Sequence, residues 1–202
     1  MKIVMISDTH GLCPEIPSGD ILIHAGDLTN RGYRSDVHRQ LCWLEKEMTK
    51  FRHTILVPGN HDFYFEGRSR DSKKDCRDLG INLLLHKELV LDGIKFFGSP
   101  YTPNYHNWAF NVARNEISKY WEQIPSDTRV LITHGPPYRI LDFEEQVHYG
   151  DRELLKKVKK LSDLKLHVFG HIHDSFGRLE QDGKIFVNAA YRKHQQILVE
   201  EI

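Results

Sequence analysis

Five short clusters along the chain carry residues that can bind a metal or move a proton: Asp8-Thr9-His10, Gly26-Asp27, Asn60-His61, His134-Gly135 and His171-Ile172-His173. Imidazole nitrogen and carboxylate oxygen are ligands for divalent ions, and both also transfer protons near neutral pH. Composition alone proves nothing here. With 13 histidines in 202 residues, chance supplies about one Asp-x-His and about one His-x-His. The chain holds two of the former and one of the latter. What decides is whether the elements between the clusters deliver them to one place.

Those elements alternate between short apolar runs and longer helical patterns, which is an α/β arrangement. Strands are expected over 2–7, 21–24, 54–57, 81–85, 88–91, 94–98, 129–133, 164–169, 176–179, 185–188 and 195–199. Leu91-Asp92-Gly93-Ile94 and Gln181-Asp182-Gly183-Lys184 read as tight hairpin turns. Helices are expected from Ser35 through Leu41, Leu44, Met48 and Phe51, over 112–124, and over 151–161 with Leu154, Leu155, Val158 and Leu161 inward. Asp8 and His10 leave the first strand on one side, since residues two apart in extended chain project together. The other clusters follow the second, third, 129–133 and 164–169 strands. Five clusters at five strand carboxyl ends share the edge where open α/β sheets build their sites. The second Asp-x-His, Asp36-Val37-His38, lies inside a helix, where its ends point apart.

Taken together, Ser7-Asp8-Thr9-His10, Gly26-Asp27, Gly59-Asn60-His61-Asp62, His134-Gly135 and Gly170-His171-Ile172-His173 resemble the five ordered blocks of the calcineurin-like metallophosphoesterases. Gly98-Ser99-Pro100, Trp108-Ala109-Phe110-Asn111 and His134-Gly135-Pro136-Pro137 further resemble the small branch of metallophosphoesterase-domain-containing proteins. The resemblance implies one domain over 1–202 with a β-sandwich of two mixed sheets flanked by helices, the four-layer metallophosphoesterase fold. It also implies two divalent metal ions. Asp8, His10 and His173 would hold one and Asn60, His134 and His171 the other, with Asp27 bridging. Carboxylate, amide and imidazole donors without thiolate suit Mn²⁺, Fe²⁺/Fe³⁺, Zn²⁺ or Ni²⁺ rather than a structural zinc site. Such a site keeps a net charge of about +1 and attracts phosphate. With ions ~3.5–4 Å apart, a bridging water acidified from about 15.7 toward about 7 can attack phosphorus in line.

His61 matches the family position that contacts phosphate and acts on the leaving oxygen, either as general acid or as hydrogen-bond donor and transition-state stabiliser. Asn60 and His61 would face substrate. Asp62 either orients this loop by hydrogen bonding or serves as a helix cap or salt-bridge partner. Asn30 stands where many relatives carry an aspartate, which leaves the support of His61 open. Arg31 reads as a phosphate contact or a solvated loop arginine. His24 reads as a core histidine and Asn188 as a supporting residue. His106, in the aromatic loop 101–108, and Phe63-Tyr64-Phe65 fit either a base-stacking wall or ordinary packing. The lysines at 156, 157, 159 and 160 are solvated.

The expected activity is hydrolysis of phosphodiesters, including cyclic nucleotides or nucleotides, with a phosphomonoesterase or a nuclease of the same fold as alternatives and an inactive protein-binding scaffold as a distant one. A phosphoprotein phosphatase is disfavoured because Pro58 stands where those enzymes carry arginine before the glycine. A formal charge of zero speaks against dedicated duplex DNA binding and against an anionic membrane partner. No apolar run reaches the ~20 residues of a membrane span, and Met1–Ile6 is too short for an export signal. Cys13, Cys42 and Cys76 lack zinc or redox spacing, so a reduced cytoplasm and a small phosphate ester are the expected compartment and partner.

Overall fold

Runs such as Ile3-Val4-Met5-Ile6 and Val130-Leu131-Ile132 are apolar at consecutive positions and must be covered on both faces. The computed structural model, which describes residues 1–202, shows what covers them. In chain order the strands are β1 (Lys2–Ile6), β2 (Ile21–His24), β3 (His53–Leu56), β4 (Asn82–Leu83), β5 (Lys87–Leu91), β6 (Ile94–Ser99), β7 (Thr102–Pro103) and β8 (Asn111–Val112). They continue as β9 (Val130–Thr133), β10 (Phe143–Glu144), β11 (Val147–His148), β12 (Leu166–Phe169), β13 (Gly177–Gln181), β14 (Lys184–Asn188) and β15 (Leu198–Glu201). The helices are α1 (Arg34–Glu47), α2 (Phe63–Gly67), α3 (Ser69–Asp78), α4 (Ser118–Glu122), α5 (Arg152–Lys160) and α6 (Tyr191–His194).

One sheet runs β15-β1-β2-β3-β4 and the other β13-β14-β12-β9-β6-β5. The inner strands of each are parallel, and antiparallel β15, β13 and β5 close the edges, so both sheets are mixed. Period-two alternation then sorts the side chains. Ile3, Met5, Ile23, Ile55, Phe96, Val130, Ile132 and Val168 meet between the sheets. Val4, Ile6, Leu22 and Leu56 face Val37, Leu41 and Leu44 of α1, while Leu131, Phe169 and Phe186 face Trp121 of α4 and Leu154 and Val158 of α5. The result is helix, sheet, sheet, helix, the sandwich that the family resemblance implies. No helix is long and apolar enough to cross a membrane.

Both expected hairpins turn through left-handed pairs, Asp92 and Gly93 at φ 49° and 78° and Asp182 and Gly183 at 52° and 69°, as Asp-Gly turns require. Asp151 caps α5 by accepting from the Glu153 and Leu154 amides. Several expectations need correction. Helix α1 stops at Glu47, short of Met48 and Phe51, which is extended, and the strand expected over 81–85 is only Asn82–Leu83. The 112–124 helix is only α4, because Asn111 and Val112 pair with Thr102 and Pro103 and the chain turns at Ala113 before Ser118. Ser35 does not cap α1: Tyr33 is the cap residue and makes no side-chain bond. The final strand starts at Leu198, three residues later than expected, since α6 and a left-handed Gln195 precede it. Helix α3 has no apolar stripe that would announce it in the sequence, and it buries only Ser72 and Cys76.

Two core histidines give the fold a dependence on pH. His24 is fully buried with its Nε2 3.1 Å from Thr9 Oγ1, and His167 is fully buried with Nε2 2.8 Å from Thr133 Oγ1. Burial pushes both imidazoles down to about 3. The unfolded chain therefore binds protons that the folded chain refuses, and stability falls as pH drops below about 6.5. The Nδ1 of His167 has no partner, while Thr133 Oγ1 keeps a second bond to Gly135 O at 2.7 Å. His167→Leu is expected to hold or raise the urea midpoint at pH 7.5 and to remove about 1 kcal/mol of the loss between pH 6.5 and 5.5. Urea titrations of chelated protein at the three pH values check this; parallel curves for variant and wild type would overturn it.

Candidate metal centre

The carboxyl ends of β1, β2, β3, β9 and β12 converge on one edge of the sandwich and bring all seven candidate ligands together. Tight backbone fixes this edge: Ser7 N–H donates to Ala189 O and so ties one sheet to the other, and Gly170 N–H donates to His134 O between the ends of β12 and β9, both at 2.9 Å. Asp8, His10, Asp27 and His171 adopt left-handed backbone, with φ of 53°, 46°, 54° and 71°. Non-glycine residues rarely do so, and such conformations persist only where surroundings enforce them. Here the Asp8 amide donates to Gly26 O at 2.8 Å, His10 to Asp27 O at 3.0 Å, and His171 to Asp8 Oδ2 at 3.0 Å. Glycine is required beside these groups. A Cβ on Gly170 would collide with Asp8 Oδ2, and one on Gly59 with Asp27 Oδ1.

Two clusters of donors result. Asp8, His10 and His173 form the first: His173 Nε2 lies 3.1 Å from Asp8 Oδ1 and 3.3 Å from His10 Nε2. Asp27, His134 and His171 form the second, with Asn60 Oδ1 2.8 Å and Asp27 Oδ2 3.4 Å from His134 Nε2. Within each triad the ligand atoms lie within 4.8 Å of one another. Asp27 Oδ2 also stands 3.7 Å from His10 Nε2, so this carboxylate lies between the clusters. Burial alone would raise both aspartates. Instead His134, His10 and His61 hold Asp27 far below the carboxylate range, and His173 and His134 hold Asp8 down at about 2. Burial opposes a charged His134, yet Asp27 and Asp8 lift it to about 9. His134 Nδ1 lies 3.0 Å from Ala25 O, which leaves Nε2 turned toward Asp27 and Asn60, the arrangement of a ligating imidazole. Four imidazoles, two carboxylates and an amide oxygen, with no thiolate, suit borderline divalent ions.

His61 stands beside this centre. Its amide donates to Asp27 Oδ1 at 2.8 Å, its Nδ1–H donates to the Asn30 backbone carbonyl at 2.7 Å, and its Nε2 lies 3.9 Å from Asp27 Oδ2. The support that an aspartate would give thus comes from main chain. The Asn30 side chain instead donates to His10 O at 2.8 Å and accepts from Arg192 at 2.9 Å. Asp62 orients two loops, accepting from the Gly59, Leu28 and Thr29 amides and the Thr29 hydroxyl. Burial and Asp27 push its carboxyl up to about 6, and it makes no capping bond to α2. Asn188 donates to Leu141 O and Ile172 O and so fixes the loop that carries His173.

A cavity of about 520 Å³ opens above the centre, with Asp27, Asn60, His61, His171 and His173 in its lining and Tyr101, Tyr105, Trp108 and Tyr149 among its walls. Trp108 packs against His61, with ring centroids 4.1 Å apart and the planes tilted by 37°. His106 also lines the cavity, whereas Arg31 is exposed in a separate groove. Arg114, Glu144, Glu145 and Tyr149 line the cavity without having been singled out from the sequence. Arg114 sits in the stretch expected as helix, and Glu144 and Glu145 belong to the short β10–β11 hairpin, whose two-residue strands have no readable period. His38 of the Asp36-Val37-His38 motif lies on the exposed face of α1 beside Cys42.

The calcineurin-like phosphoesterase family model matches residues 1–175. A UPF0046 protein of Caenorhabditis elegans is 36% identical over 206 residues, covering 94% of this chain and 69% of its own length. Human metallophosphoesterase domain-containing protein 1 is 33% identical over 215 residues, and the match covers 94% of this chain and 65% of that protein. Among solved structures, a phosphopantetheinyl hydrolase from Mycobacterium tuberculosis shares the fold with a TM-score of 0.62 at 19% identity, over 96% of this chain and 93% of that one. Five motif blocks, the strand edge that gathers them and these matches agree: the chain belongs to the calcineurin-like phosphoesterase family, in the branch of the metallophosphoesterase domain-containing proteins.

Proposed function

We propose that this chain is a dinuclear phosphodiesterase, in which Asp8, His10 and His173 hold one divalent ion, Asn60, His134 and His171 hold the other, and Asp27 bridges them. The observation that carries this is the pair of donor triads, with Asp27 Oδ2 within 3.4 Å of His134 Nε2 and 3.7 Å of His10 Nε2. When bound, two such ions supply Lewis-acid charge to the phosphoryl oxygens and acidify the attacking water. Mn²⁺, Fe, Zn²⁺ and Ni²⁺ all suit the donors. The chain's own residues do the rest. The left-handed loops and their glycines preset the donors. His61, fixed through Nδ1, presents Nε2 to the leaving oxygen, and Asn60 holds the phosphoryl group beside it.

Diesters suit the cavity better than monoesters, because Glu144 and Glu145 at its wall repel the second charge of a monoester while aromatic walls accept a flat leaving group. A nucleotide fits that description. Three unpaired cysteines fit a reducing compartment such as the cytoplasm. The test is removal of metal. Chelation is expected to abolish hydrolysis of bis(p-nitrophenyl) phosphate and Mn²⁺ to restore it, with two ions bound per chain by elemental analysis and slower turnover of p-nitrophenyl phosphate. Activity indifferent to chelator would end the reading; one ion per chain at full activity would end its dinuclear part.

A further inference from the structure

Next to the cavity, Arg31, Arg34 and Arg68 line a second groove together with Tyr33 and Phe63. Trp108 belongs to both walls. One side of its ring packs on His61 at 4.1 Å and it meets Phe63 at 6.1 Å, each at an interplanar angle of 37°. An aromatic path therefore leads from the proposed catalytic histidine into the groove. Tyr33 is 60% exposed and Phe63 37% exposed, although neither needs water.

Charge adds to the rings. Some surface cations are paired along their own helices, as in Lys74 with Asp78, Lys119 with Glu116 and Lys156 with Glu153. In the groove only Arg68 has a carboxylate near, Asp71 at 3.8 Å, an exposed pair of little strength. Arg31 and Arg34 have none. Unpaired guanidinium groups around exposed rings bind phosphate oxygens by forked hydrogen bonds and bases by stacking. The groove itself is short, bounded by residues 31–34, 63–68 and Trp108, so it contacts a short segment of strand and gives no processive grip.

We propose that this groove binds the leaving-group side of the substrate, and that the substrate is a short single-stranded oligonucleotide whose departing nucleotide carries a base and a further phosphate. The inference rests on the phosphodiesterase reading above. In that reading the leaving oxygen is at His61, and the groove begins at Trp108, the ring packed on His61. Water adds across the scissile P–O bond: its hydroxyl stays on phosphorus, its proton ends on the departing hydroxyl, and that nucleotide leaves along Trp108.

The experiment compares kcat/KM for thymidine di- and trinucleotides with that for bis(p-nitrophenyl) phosphate, which has no second phosphate to reach the arginines, in wild type and in the double variant Arg34→Gln, Arg68→Gln. The ratio of trinucleotide to minimal substrate is expected to fall about tenfold or more in the variant. Binding of fluorescent trithymidylate to chelated protein is the second readout. The slope of log affinity against log salt is expected to lose about 0.7 for each phosphate contact removed. An unchanged ratio with an unchanged salt slope overturns the proposal, as does tighter binding of an acidic peptide of equal charge. If minimal substrate is not hydrolysed at all but the arginine-dependent salt slope is present, the phosphodiesterase reading fails and the groove stands as a nucleic-acid site.

Discussion

Asp27→Ala is expected to lower turnover of bis(p-nitrophenyl) phosphate by about a thousandfold or more, since a metal centre supplies several kcal/mol to the transition state. The Asp27 carboxylate stands beside both donor clusters and His61 at once. Its Oδ2 lies 3.4 Å from His134 Nε2, 3.7 Å from His10 Nε2 and 3.9 Å from His61 Nε2, and its Oδ1 accepts the His61 amide at 2.8 Å. One substitution therefore disturbs both donor clusters and the loop that carries His61. Metal content should fall below two ions per chain along with the rate. Asp27→Asn is the sharper control, because it keeps the shape and the bond to the His61 amide while removing the charge. Loss of metal in both variants with intact thermal unfolding assigns the effect to the carboxylate. Near-normal rates with two ions bound in either variant would remove Asp27 from the bridging role.

The convergence that makes Asp27 central was legible because it depends on period and position. Asp8, Asp27, Asn60, His134 and His171 each follow an apolar strand, and parallel strands present their carboxyl ends at one edge. The same reasoning set aside Asp36 and His38, which the helix turns apart. Less was legible where tertiary contacts overrule local pattern. Val112, Ile117, Trp121 and Ile124 are all buried and read as one helical face, yet pairing with Thr102 and Pro103 takes the first of them out of the helix. Nothing in Ser69–Asp78 announces a helix, because its stability comes from docking Cys76 and from charge pairs such as Lys74 with Asp78. At the site, sequence named the residues but not their restraints. The carbonyl that orients His61 belongs to Asn30, whose side chain faces elsewhere, and no sequence pattern reports a main-chain acceptor.

That restraint shapes the expected behaviour of His61→Ala. With Nδ1–H donated to the Asn30 carbonyl and Trp108 against the ring, only Nε2 is free to act on substrate, at a position fixed in advance. A group so placed contributes about a hundredfold to ten-thousandfold when it delivers a proton in the transition state. His61→Ala should therefore lose activity in that range on a diester with an alcohol leaving group, such as a dinucleotide. The loss should shrink to about tenfold when p-nitrophenolate departs, because that anion needs no proton and only the contact with phosphate is missing. Two bound ions are expected in the variant, since His61 is outside the seven proposed ligands. His61→Asn separates the two roles further. An amide can donate a hydrogen bond but cannot transfer its proton, so it should recover the p-nitrophenyl reaction and leave the dinucleotide reaction slow. Equal losses across leaving groups, with equal recovery by asparagine, would make His61 a holder of phosphate and not an acid, and the proton for the departing nucleotide would then have to come from solvent through the open cavity.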